Sequence, residues 1–113
     1  MKKVIFMVLL SFLVQSAMAE LQSHSGKVTG YIASESAGNK LFYFKLENNP
    51  SGGCNTTSRF AIDGNRDSYE SVNSAILASY HSQSDVRVYY TGSCDSAPNA
   101  LDVLWVCVGD IPC

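Results

Sequence analysis

Residues 67–94 read DSYESVNSAILASYHSQSDVRVYYTGSC, and this stretch decides the fold. Tyr69, Val72, Ile76, Leu77 and Tyr80 recur at helical spacing and form one apolar stripe. Asp67 stands where a helix N-cap belongs, and Glu70, three residues on, can complete a capping box, because carboxylates satisfy the orphan amides at the positive end of the helix dipole. Ser82-Gln83-Ser84-Asp85 is polar and turn-prone. Val86-Arg87-Val88-Tyr89-Tyr90 follows as a β-branched and aromatic run, closed by Thr91-Gly92. The pattern predicts a helix, a tight connection and a strand. A second helical stripe, Ser71, Ser74, Ala75, Ala78 and Ser82, carries only small side chains. It reads either as an ordinary solvated face or as a face that a copy of the same helix can approach closely.

Upstream, Ser25 to Ser34 reads as a first strand with Val28 and Ile32 on one face, and Ala37-Gly38-Asn39-Lys40 as a turn. Leu41 to Leu46 is a second strand, apolar on both faces, so part of it should be covered twice. Asn48 to Thr57 is a loop held by Cys54; within it Asn55-Thr56-Thr57 matches a glycosylation sequon, read here as chance. Arg59 to Ile62 makes a short third strand, and Asp63-Gly64-Asn65 turns into the helix. Downstream, a loop from Asp95 to Ala100 precedes Leu101 to Val108, apolar on both faces and therefore central or part of a subunit interface. The order is β-β-β-α-β-β: a mainly β chain with one helix (α+β). One helix among five short strands predicts a small Greek-key barrel of the oligonucleotide/oligosaccharide-binding (OB-fold) type.

Residues 1–19 have a basic start (Lys2, Lys3), an apolar run from Val4 to Val14 and Ala17-Met18-Ala19 as a small-x-small cleavage site, the make-up of a bacterial Sec-type signal peptide and too short for a membrane span. Residues 20–113 then form one small domain, secreted or periplasmic. Six basic side chains (Lys27, Lys40, Lys45, Arg59, Arg66, Arg87) stand against ten acidic ones in that part, a formal charge of −4. Scattered and outnumbered cations do not make a nucleic-acid surface.

Cys54, Cys94, Cys107 and Cys113 are an even set in an exported chain, which points to two disulfides. Three pairings are possible. Cys54 with Cys94 and Cys107 with Cys113 is preferred, because the last two are close in sequence and Gly109 and Pro112 suit a tight loop. No CxxC pair exists, so no zinc site, and no other metal or cofactor, is expected. His24 and His81 read as surface or structural residues, and no phosphate loop, HExxH or GxSxG pattern occurs. An enzyme is not expected.

Four places resemble the pertussis-like toxin B-subunit family, which includes the B subunits of subtilase cytotoxin and of typhoid-like toxins. Ser25-Gly26 with the Val28–Ile32 run is similar to its first strand, and Asn39-Lys40 with Phe42-Tyr43 to its second. Val86-Arg87-Val88-Tyr89-Tyr90, after a helix that begins near Ser68, resembles its Val-Arg-Ile-Tyr-Tyr strand, and Cys107 and Cys113 its terminal cysteine pair. The resemblance implies a homopentameric, glycan-binding barrel that docks a separate catalytic A subunit in a virulence-associated toxin. It also implies that Ser25 and Tyr90 hold a terminal sialic acid, with Tyr89 beside them; a serine hydroxyl can bond a carboxylate, and tyrosine offers a flat apolar face with a polar tip. Equally, Ser25 can be a strand-start serine and Tyr90 a cross-strand packing residue. The chain departs from the family where Phe44 replaces a cysteine on strand two and Cys94 occupies a loop that lacks one, which gives Cys54 a new partner and reshapes a loop near the sugar pocket. The competing expectation is a stand-alone periplasmic or secreted OB-fold module that binds a protein or peptide, as an inhibitor or envelope factor.

Overall fold

The computed structural model describes residues 21–113; the signal peptide expected at residues 1–19 lies outside them. Five strands and one helix follow in the order β1 (Gln22–Ser36), β2 (Asn39–Leu46), β3 (Phe60–Asp63), α1 (Tyr69–Ser82), β4 (Asp85–Tyr90) and β5 (Leu101–Val108). The strands close into a barrel in the order β1-β2-β3-β5-β4, so the expected class and element order hold. All neighbours are antiparallel except β3 and β5, which run parallel through Phe60–Leu101 and Ala61–Asp102.

One long strand does the closing. The first half of β1 pairs with β4, from Gln22–Tyr90 to Lys27–Asp85, and its second half pairs with β2, from Val28–Leu46 to Ser36–Asn39. A bulge between Val28 and Gly30 separates the two regimes and lets the strand bend from one sheet into the other. The hairpin to β2 is tighter than the sequence suggests. Ala37 and Gly38 alone form the turn, both at positive φ (52° and 78°), and Asn39 and Lys40 belong to the strand. Two residues with φ above zero match the right-handed twist of the flanking strands.

Inward side chains of the five strands form the core: Val28, Phe42, Phe44, Leu46, Phe60, Ile62, Val86, Val88 and Val103 are buried. The helix plugs it with Tyr69, Val72 and Ile76, and Leu77 and Tyr80 pack at its border, as the apolar stripe predicts. Phe44 sits within this cluster, between Phe42 and Phe60. The outer face of β2 and β3 is also covered: Leu41 and Tyr43 pack against Ala61, Ala97 and Ala100, so the loop after Cys94 roofs strand two. Asp102 fixes that loop, its carboxylate accepting from the Ser93 hydroxyl and from the amides of Asp95 and Ser96.

The helix start differs from the expected capping box. The helix begins at Tyr69, its N-cap Ser68 makes no side-chain cap bond, and Asp67 is exposed. Two successive backbone turns lead in, with Arg66 N–H donating to Asp63 O (3.2 Å) and Tyr69 N–H to Arg66 O (3.0 Å). A local turn bond therefore satisfies an amide that the carboxylate was expected to cap. The small-residue stripe faces outward, with Ser71, Ser74, Ala78 and Ser82 exposed.

Both preferred disulfides form. Cys54–Cys94 joins the loop after β2 to the loop after β4 (Cα–Cα 6.1 Å), and Cys107–Cys113 closes the C-terminal loop (Cα–Cα 6.3 Å). Asn55, the sequon residue, is 1 % exposed: its amide donates to Pro50 O (2.8 Å) and its carbonyl accepts from Arg59 N–H (3.1 Å). A side chain so engaged organises the loop and is not presented to solvent.

Candidate functional site

Strand parity builds the site. On β4, Val86, Val88 and Tyr90 point into the barrel, and Asp85, Arg87 and Tyr89 point out. Directly paired residues share a face, so the register assembles three outward rows. Lys27 stands opposite Asp85, Ser25 opposite Arg87 and Ser23 opposite Tyr89 on the β1 side; Cys107 faces Arg87 and Trp105 faces Tyr89 on the β5 side. A bulge on β5 between Val103 and Trp105 keeps Trp105 on the outer surface and Val103 in the core.

The middle row opens into a cleft of about 360 Å³, floored by Ser25, Gly26, Val86 and Arg87 and walled by Asp85, Cys107, Gly109 and Ile111. Its charge is uneven. Lys27 Nζ meets Asp85 Oδ1 at 3.2 Å, whereas Arg87 has no ion-pair partner among the described residues. Arg87 thus brings an unpaired positive charge to the outward row that it shares with Ser25. Arginine presents a planar fork of donors and serine one more, a set suited to a carboxylate. Next to them, the Tyr89 and Trp105 rings stack at 4.9 Å and 18°, with Trp105 40 % exposed, and present a flat aromatic surface. The Tyr89 phenol donates to Cys113 O (3.4 Å), which ties this surface to the C-terminal loop.

The structure does not bring all the expected residues together. Ser25 and Tyr89 share the outer face, but Tyr90 is 6 % exposed and lies on the inner one, its ring 5.1 Å from that of Phe60. Burial pushes the Tyr90 phenol pKa up from 10.0. Its position is that of the cross-strand packing residue. Cys107, bonded to Cys113, borders the cleft, and Cys54 and Cys94 stand in other loops. Arg87, Trp105 and Ile111 were not singled out as site residues from the sequence. Parity alone could have found the arginine, since Arg87 and Tyr89, two residues apart on a strand, must share a face.

Among the described residues, no group of three or more His, Cys, Asp or Glu side chains is arranged to hold a metal, and no helix is long and apolar enough to cross a membrane. His24 is engaged through Nε2 with Glu47 O at 2.7 Å, and His81 lies exposed in the last helical turn. Comparison with protein-family models, curated protein sequences and solved structures finds no significant match.

Proposed function

We propose that the chain is a secreted glycan-binding subunit that takes a terminal sialic acid-type sugar in the Ser25–Arg87 cleft. The observation that carries this reading is Arg87, free of ion-pair partners among the described residues, paired across the strands with Ser25 in one cleft and one row from the Tyr89–Trp105 ring pair. A sugar acid needs those groups: cationic and hydroxyl donors for its carboxylate, and an aromatic face for its C–H surface. Tyr89 takes the ligand role in this reading and Tyr90 the packing role. Export is part of the proposal, carried by the signal-like residues 1–19 and by two disulfides that suit an oxidising compartment.

The subunit is proposed to work as a homopentamer that docks a catalytic A subunit in a toxin-like assembly, as the resemblance to the pertussis-like B subunits implies. Supporting assembly are two uncovered surfaces: the small-residue face of the helix, and Ile32 on β1, 47 % exposed. Retention on immobilised sialylated glycans, lost after sialidase treatment and in Arg87→Ala, tests the reading; equal retention of treated and untreated glycans would sink it.

One observation favours the stand-alone protein-binding module. An apolar depression of about 230 Å³ over Gly30, bounded by Ile32, Tyr43, Lys45 and Arg59, could take a side chain of a protein partner. A monomer on sizing that binds no glycan would move the assignment to that reading.

A further inference from the structure

The loop closed by Cys107–Cys113 forms one wall of the cleft; of its two exposed aliphatic side chains, Val108 and Ile111, Ile111 lines the cleft and is 58 % accessible. A single exposed isoleucine is ordinary on a protein surface. This one differs in how firmly it is held. The disulfide pins both ends of the loop, Gly109 takes the left-handed conformation (φ 84°) that turns the chain, Ile111 N–H donates to Gly109 O at 3.1 Å, and Cys113 O accepts from the Tyr89 phenol. These constraints act on a stretch of seven residues and hold the isoleucine beside the floor that carries Ser25 and Arg87. Rigid presentation matters, because a ligand that meets a pre-ordered wall loses less in ordering it.

We propose that the C-terminal disulfide loop is a ligand-contacting wall of this cleft, with Ile111 packing on the apolar flank of an anionic sugar whose carboxylate lies on Ser25 and Arg87. The proposal rests on the glycan reading of the cleft, and it makes Ile111 a specificity residue: the floor selects the charge and the wall selects the shape beside it. Ile111→Ala removes apolar area that the ligand would cover, worth about tenfold in affinity. An exposed position leaves the barrel intact in that variant.

The test is titration of sialyllactose into wild type, Ile111→Ala and Cys107→Ser/Cys113→Ser, with the Ile111 methyl resonances followed by NMR in the wild type and thermal melts of all three. Expected are binding by the wild type with shifted Ile111 methyls, affinity about tenfold weaker in Ile111→Ala at an unchanged melting temperature, and a loss at least as large when the loop is untethered. Wild-type binding with unmoved Ile111 methyls and full affinity in Ile111→Ala would overturn the role of the wall and leave the cleft reading standing. A wild type that ignores sialyllactose, and other sialylated glycans on an array, would overturn both.

Discussion

Tyr90 and Arg87 show how the parity of a strand position decides what a side chain does. Three residues apart on β4, they face opposite sides of the sheet, Tyr90 against Phe60 and Arg87 above Ser25. Because burial raises the Tyr90 phenol pKa above 10.0, the unfolded chain ionises this group first as pH rises. The stability gained by holding it neutral is complete below about pH 10 and is lost as pH climbs through the folded-state value. Tyr90→Phe should therefore match the wild type in denaturant melts at neutral pH and lose less stability above pH 10; parallel alkaline losses in the two proteins would show that the phenol is not shielded. The same substitution should leave sialyl-glycan affinity unchanged. Arg87→Ala should instead weaken binding by about 1.5–3 kcal/mol, the worth of a charge-assisted bond, without moving the melting temperature. Neither residue's facing follows from its type. Tyr89 and Tyr90 are the same amino acid in succession, and only their pairing with Ser23 and Gln22 sets which one turns out.

At the level of elements, the helix stripe was legible because its periodicity is strong, and β5 because it is an apolar run, interrupted only by Asp102, between a loop and a glycine: β5 spans the residues read as a strand, and Tyr69, Val72 and Ile76 are buried as the spacing requires. What was not legible depends on partners distant in sequence. β1 reaches back to Gln22 because β4 offers it a register there, although Gln22-Ser23-His24 carries no strand signal of its own. The capping box fails for a related reason, since turn bonds through Asp63 and Arg66 satisfy the chain before Asp67 is needed. The β1–β2 turn offers a direct check. Ala37 holds φ 52°, a conformation that Asn adopts more readily than Ala. Ala37→Asn should stabilise the protein by up to about 1 kcal/mol in urea melts, and a destabilised variant would contradict the two-residue turn. The Cys54–Cys94 bridge, which closes a separation of 40 residues, should cost roughly 4 kcal/mol when both cysteines become alanine. A loss under about 1 kcal/mol would mean that the loops it joins are ordered without it, through contacts such as those of Asn55 and Asp102.

For the whole molecule, the barrel leaves its outer β1–β4–β5 face as a platform, with a cation and a hydroxyl in the middle row, an ion pair below and a ring pair above. With a formal charge of −4 over residues 20–113, net charge does not draw an anion to the molecule, so attraction of an anionic ligand should be short-ranged and local to the cleft. The barrel class was legible from the element order; the platform was not, because it is made by register between residues far apart in sequence, as in the Ser25–Arg87 and Lys27–Asp85 pairs. The most direct test is calorimetric titration of the full chain with a sialylated glycan and with its desialylated counterpart, repeated on Arg87→Ala. The account predicts saturable binding of the sialylated glycan alone, at least tenfold weaker in the variant. Equal heats for both glycans, or a variant that binds as well as the wild type, would contradict it.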